Sequence, residues 1–356
     1  MTISRRKKIV FALVAMSLSL VVALVILLAA DLVLHARAER SAGLNRYGYR
    51  GPVVGRKQPG ELRVVMLGGS TVFGYGVAWN ESVPAYLEPK LQARLGRKVS
   101  VVNLGYNNEG AYSFVPNLED FAYMDYDAIV FYEGYNDLTG DAGVNTSVYR
   151  RNSAVFRLTG YFPILPLYLD EKVMMLRNGN NLNAAYDAAR SEGPTVFRPT
   201  LAQRTSAGAL AAVSSMARAL DAQLSKVTSD ARAPLTEVSA LGCSPPWVNY
   251  CESVAAAVRL GRARGDAVVV GSQPRLVLAH ARDVHSRQQA MLAGMLQRNF
   301  SGDQGVVWAD LSDLVDLTTP NITFDAMHLN PQANDVIAAG LVEPVVSAIA
   351  GAGIQQ

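Results

Sequence analysis

Five residues in four short stretches have the types that nucleophilic acyl chemistry requires. They are Ser70 in Gly68-Gly69-Ser70-Thr71, Gly105 in Asn103-Leu104-Gly105, Asn136 in Gly134-Tyr135-Asn136-Asp137, and Asp325 with His328 in Asp325-Ala326-Met327-His328. A serine hydroxyl attacks poorly until a base takes its proton, and the tetrahedral intermediate then needs hydrogen-bond donors for its oxyanion. Ser70 follows two glycines, where absent side chains let the chain turn and a substrate approach. A helical turn starting after it would aim backbone N–H groups at developing negative charge. Gly105 offers a backbone N–H and Asn136 a side-chain amide, which with the Ser70 N–H make three oxyanion donors. His328 is the expected base. Asp325, three residues earlier, can accept from one ring nitrogen while the other faces Ser70. Asp137 is expected to buttress its loop rather than react. Each stretch alone reads as an ordinary turn or surface motif, so the combination carries the argument.

The elements that must bring these residues together show in the hydrophobic pattern. Leu62–Leu67, Ser100–Leu104, Ala128–Tyr132, Ala267–Gly271 and Val306–Asp310 are short runs rich in aliphatic and β-branched residues, read as strands. Helical stretches are expected at Val83–Leu95, Ala281–Arg298 and Gln332–Ala348, with Asn330-Pro331 as a helix start. Strands apolar on both faces, alternating with helices, specify a parallel sheet covered on each side. Ligands in such folds sit beyond the carboxyl ends of the strands, and Ser70, Gly105 and Asn136 each fall just after one. Residues 141–265 interrupt the alternation with an aromatic, proline-bearing patch at Tyr161–Tyr168 and an amphipathic helix expected at Leu201–Val227. This insert reads equally as a cap over the site or as a helical subdomain packing on the sheet.

The chain has 356 residues, half of them hydrophobic, with 18% charged and a formal charge of +3, enough for one large domain and extra segments. No nucleic-acid partner is implied. Ile9–Ala30 is an uncharged apolar run preceded at once by Arg5-Arg6-Lys7-Lys8. As a helix it would be roughly 33 Å long, enough to cross the hydrocarbon core of a bilayer. The basic residues should stay in the cytoplasm, placing Asp31 onward in the periplasm or outside the cell. Ala36-Arg37-Ala38 would also suit a cleaved signal peptide, but the apolar run exceeds the usual signal core, which favours a retained anchor. Cys243 and Cys251, the only cysteines, suit a disulfide in that oxidising compartment, with two buried free thiols as the other reading. Four dispersed histidines, His35, His280, His285 and His328, suggest no metal site.

The motifs LGGSTVFGYG, VNLGYNNEG, YEGYNDL and DAMHLNPQAN resemble the four blocks of the SGNH (GDSL-like) hydrolases, over roughly residues 62–140 and 266–348. The chain is most similar to a membrane-anchored bacterial subgroup whose first block reads GGST, and Asn45–Pro52 resembles the segment preceding that block. The common family form has Asp where Gly69 stands. The resemblance implies a flavodoxin-like three-layer α/β/α fold, serine-dependent esterase, lipase, deacetylase or acyl-transfer activity, and no cofactor. The expected organisation is a basic tip and anchor at 1–35, a linker at 36–60, and a hydrolase domain at 61–350 that contains the insert. An esterase of envelope carbohydrate or lipid, a polysaccharide O-acyltransferase and a non-catalytic scaffold in a membrane complex of unknown partners all remain compatible with this organisation.

Overall fold

The computed structural model describes residues 4–41, 43–107, 109–138, 154–177, 239–323 and 325–354. Along the chain run α1 (Arg5–Ser41), β1 (Leu62–Leu67), α2 (Ser70–Phe73), α3 (Val83–Leu95), β2 (Val99–Asn103), α4 (Phe114–Asp120) and β3 (Ala128–Tyr132). There follow α5 (Ala154–Thr159), α6 (Leu165–Arg177), α7 (Val248–Arg264), β4 (Ala267–Gly271), α8 (Ala279–Phe300), β5 (Val306–Ala309) and α9 (Pro331–Gly351). The expected strands and helices form within two or three residues of the bounds read from sequence. The helix expected at Leu201–Val227 lies outside the described residues.

All five strands pair in parallel, in the order β2-β1-β3-β4-β5. This is the doubly wound, flavodoxin-like order, and its switch point falls between β1 and β3. The two faces follow from the alternation of side chains along each strand. Val64, Met66, Val130 and Val269 join one buried cluster with Leu87 and Leu91 of α3 and with Ile337 and Leu341 of α9. On the opposite face Phe131 stacks on Phe114 of α4 at 4.7 Å, and Gly261 of α7 lies against Ile129 and Val268. Each fully buried aliphatic side chain contributes about 1.5–3 kcal/mol relative to exposure, so both helical layers are held by the strands they cover. Asn330 caps α9 by accepting the Ala333 N–H at 2.8 Å, with Pro331 in its first turn.

The chain divides into two compact units, Met1–Arg40 with Ser153–Val227, and Ser41–Asn152 with Thr228–Gln356. In the first unit, the apolar side chains of α1 from Ile9 to Val33 stand exposed along a helix long enough to cross a membrane. Just past the apolar run, Asp31 and His35 are buried. Asp31 accepts from the Tyr161 hydroxyl and from the Leu165 N–H at 2.6 Å, while His35 Nε2 contacts the Phe162 carbonyl. Helix α9 is also long and apolar enough to span, but half of it is buried on the sheet and α3, as expected of a core helix.

Two boundaries differ from the sequence reading. The stretch 36–60 is expected to be a linker resting on the domain edge, yet Asn45, Tyr49 and Arg50 are buried in the second unit and Arg50 bridges Asn103 at the end of β2. Hydrogen bonds rather than apolar periodicity bury this segment, so no hydrophobic pattern announces it. The insert is expected to reach residue 265, but α7 packs on α4 and β4 and is a layer of the sheet domain. Cys251 of α7 is joined to Cys243 by a disulfide, and both are fully buried. Closing so short a loop restricts the unfolded chain, so Cys243→Ala/Cys251→Ala is expected to lower unfolding free energy by about 2.5 kcal/mol. Equal urea midpoints for the two proteins would refute this.

Candidate active site

The carboxyl ends of β1 and β3, at the switch point, hold the loops that carry Ser70 and Asn136. After β1 the chain passes through Gly68 and Gly69 into the single turn of α2, which begins at Ser70. Phe73 donates to the Gly69 carbonyl and Gly74 to the Ser70 carbonyl, so the N–H groups of Ser70, Thr71 and Val72 have no partner within that turn. The far end of the turn is capped by Arg50. Its guanidinium donates to the carbonyls of Phe73, Gly74 and Val77 and lies 4.4 Å over the Phe73 ring. Burial pulls Arg50 down to about 10, still well above neutrality, so the cap carries its charge. A cation at the carbonyl end of the turn complements its dipole.

His328 reaches Ser70 from the loop before α9. Its Nε2 lies 2.7 Å from Ser70 Oγ and its Nδ1 lies 2.6 Å from Asp325 Oδ2. The turn that places Asp325 is built from backbone bonds: Asp325 Oδ1 accepts the N–H of His328 at 2.9 Å and of Met327 at 3.2 Å. Ala326 between them takes a left-handed conformation with φ +65°, and the turn closes with a bridge between Thr323 and Leu329. Partial burial works to raise the Asp325 carboxyl, but the amide and ring of His328 and the amide of Met327 outweigh it and hold Asp325 below the usual carboxylate range. A charged Asp325 accepting from Nδ1–H leaves Nε2 able to take the Ser70 proton. The ring of Tyr75 lies 4.8 Å from that of His328 and about half of Tyr75 is exposed, a neighbour with no signature in the sequence.

Asn136 and Gly105 are brought to the same rim. Asn136 Nδ2 donates to the Glu109 carbonyl at 2.8 Å, which uses one of its two amide hydrogens. The Gly105 N–H donates to Asn103 Oδ1 at 3.0 Å, so in this structure an oxyanion would have to share it. Gly105 is required for close approach: a Cβ there would lie 2.6 Å from the Phe73 nitrogen and 2.7 Å from Val72 Cβ. Asp137 buttresses as expected, accepting the Ala111 N–H at 3.0 Å. Sequence reasoning missed two buried side chains behind the rim. Gln273, at the end of β4, donates to Thr71 Oγ1 and accepts the Tyr135 N–H, both at 2.8 Å. Glu133 accepts the N–H groups of Gly69, Gly134 and Asn136.

Comparison with known proteins adds the following. A model described as the GDSL-like lipase/acylhydrolase family matches residues 66–253, more than half of the chain, spanning Ser70, Gly105 and Asn136 but ending before Asp325 and His328. No curated protein matches. Among solved structures, a catalytic mutant of an acetylxylan esterase from Geobacillus stearothermophilus is 11% identical, covering 80% of this chain and 94% of its own, with a TM-score of 0.42. A lipolytic protein of the G-D-S-L family from Veillonella parvula is 9% identical, covering 79% and 97%, with a TM-score of 0.41. The lipase/acylhydrolase from Enterococcus faecalis is 12% identical, covering 79% and 94%, with a TM-score of 0.39. With its parallel five-stranded sheet and a family match over more than half its length, the chain belongs to the GDSL-like lipase/acylhydrolase family.

Proposed function

We propose that this protein is a serine esterase that removes ester-linked acyl groups from cell-envelope carbohydrate or lipid. The observation that carries the reading is the continuous hydrogen-bonded chain from Asp325 through His328 to the partly exposed hydroxyl of Ser70, with contacts of 2.6 and 2.7 Å. His328 Nε2 takes the Ser70 proton as Oγ attacks the ester carbonyl, and Asp325 stabilises the resulting imidazolium. The Ser70 N–H and Asn136 Nδ2–H, with the Gly105 N–H where Asn103 shares it, receive the oxyanion. As the tetrahedral intermediate collapses, imidazolium protonates the departing alcohol oxygen. Water, deprotonated by His328, then attacks the acyl-serine and restores the hydroxyl.

In this reading residues 9–30 hold the protein in the cytoplasmic membrane, the basic tip stays inside, and the domain formed by 41–138 and 239–354 works outside. An uncharged span followed by a hydrolase domain and a buried disulfide supports an envelope substrate, because the site is then confined to the membrane surface. The test is mass spectrometry of the full chain in detergent after treatment with a fluorophosphonate, beside Ser70→Ala and His328→Ala. The expected result is one label, on Ser70, absent from Ser70→Ala and strongly slowed in His328→Ala. A folded wild-type chain that takes no label overturns the reading. Release of p-nitrophenol from p-nitrophenyl acetate into water, against transfer of the acetyl group to added glycan, separates hydrolysis from acyl transfer.

A further inference from the structure

Gly69 stands immediately before the proposed nucleophile and is closely surrounded. A Cβ on it would lie 2.0 Å from Asn136 Nδ2, 2.8 Å from Glu133 Oε2 and 2.9 Å from the Glu109 carbonyl oxygen. The space where a side chain at 69 would begin is thus occupied by the Asn136 amide and Glu133 carboxyl of the β3 loop and by the Glu109 carbonyl of the segment after β2. What arrives there is a carboxylate, Glu133, only 3% exposed. Its Oε2 accepts the Gly69 N–H, and its Oε1 accepts the Gly134 N–H at 3.0 Å and the Asn136 N–H at 3.2 Å.

One side chain therefore spans two of the three loops that bear the oxyanion donors, those of Ser70 and Asn136. On the β1 side, Gly69 is held at each end, by Glu133 at its N–H and by the Phe73 N–H at its carbonyl, which fixes the direction of the next N–H, that of Ser70. On the β3 side, the backbone of Asn136 is held by Glu133 and its side chain by the Glu109 carbonyl, which fixes the free amide hydrogen. The carboxyl group accepts at both oxygens, whereas an amide in its place would set an NH₂ donor against one side of these N–H groups. Burial, and then the Asp137 carboxylate, raise Glu133 to about 8, and the three amide donors offset this only in part. A buried carboxyl whose two oxygens take three N–H groups does something an apolar filler could not. The Tyr250 hydroxyl donates to the Glu133 carbonyl at 3.0 Å, holding the backbone of this residue as well.

We propose that Glu133 is a positioning residue for acyl chemistry at Ser70, its carboxylate setting the Ser70 N–H and the Asn136 Nδ2–H at the separation a tetrahedral oxyanion needs. The inference rests on the esterase reading of the site. Glycine at 69, Asn136 and Glu133 then form one device, since a Cβ at 69 would meet the Asn136 amide at 2.0 Å and the Glu133 carboxyl at 2.8 Å.

The test uses the full chain in detergent with p-nitrophenyl acetate, comparing wild type, Glu133→Gln and Glu133→Asp. Folding is checked by near-ultraviolet circular dichroism, and active sites are counted by fluorophosphonate labelling. Glu133→Gln keeps the size but loses an acceptor. Glu133→Asp keeps the acceptors but falls one methylene short. Donors displaced by a fraction of an ångström to 1 Å lower kcat about 10²-fold while KM stays within about threefold, because the ground-state ester makes little use of them. The expected result is that loss in both folded variants with the full count of labelled sites. Wild-type kcat in either folded variant overturns the inference. So does a loss of activity that only tracks a loss of labelled sites, or failure of both variants to fold, since each assigns Glu133 to folding alone. A wild-type chain without label at Ser70 overturns the esterase reading itself, and is thereby distinguished from failure of the Glu133 inference.

Discussion

Replacing His328 with alanine is expected to lower kcat for p-nitrophenyl acetate on the order of 10⁶-fold, with KM little changed. Nε2 lies 2.7 Å from Ser70 Oγ, and among the described residues no other imidazole is placed to take that proton: His285 is buried in α8 against Tyr135, and its burial, followed by the charge of Arg275, pulls it down to about 4. Without the base, the hydroxyl must attack while still protonated, and the departing alcohol leaves without a proton donor. The remaining rate would come from the oxyanion donors and from binding, roughly 10³–10⁴ over water. Steady-state kinetics on the folded variant decides the matter, and a loss under about tenfold would show that His328 is not the base. The fold should tolerate the change, because the turn is held by Asp325 Oδ1 and by backbone bonds rather than by the ring.

Asp325→Asn is expected to lower kcat about 10⁴-fold at neutral pH. In the native chain Asp325 Oδ2 accepts from Nδ1–H, which leaves Nε2 unprotonated and facing the hydroxyl. An asparagine amide would present its NH₂ to Nδ1, so that the imidazole proton moves to Nε2 and the ring can no longer accept from Ser70. The same substitution preserves the carbonyl oxygen that accepts from Met327 and His328, so the left-handed Ala326 and the turn around it survive. It therefore isolates the tautomer from the loop. Kinetics beside a thermal melt provides the measurement: a large kcat loss at unchanged Tm supports the assignment, and near-native kcat rules it out. Although about half of the Asp325 side chain is exposed, the prediction stays large because the effect works through the proton's location, which solvent screening does not alter.

Much of the architecture was legible because it depends on local pattern. Val64-Val65-Met66, Ile129-Val130-Phe131 and Val268-Val269-Val270 are apolar on both faces, and only a sheet covered on both sides buries them all. Gly68-Gly69, Gly105 and Asn136 could be placed at one rim because parallel strands bring all their carboxyl ends to the same edge. What the sequence determined, then, was the strands and helices, their parallel arrangement and the chemical types at the rim. Only the tertiary structure decided which partners those residues take. That Gly105 gives its N–H to Asn103, that Arg50 from a supposed linker caps the nucleophile turn, and that α7 belongs to the sheet rather than to an insert are contacts between segments distant in the chain or governed by loop geometry. Glu133 carries the same lesson, being one carboxylate in a loop until Gly69, sixty-four residues earlier, is folded against it. Hydrophobic periodicity is written in a window of a few residues, but a hydrogen-bonded partner is fixed only once the chain has closed on itself, and buried polar groups take whichever donors that closure supplies.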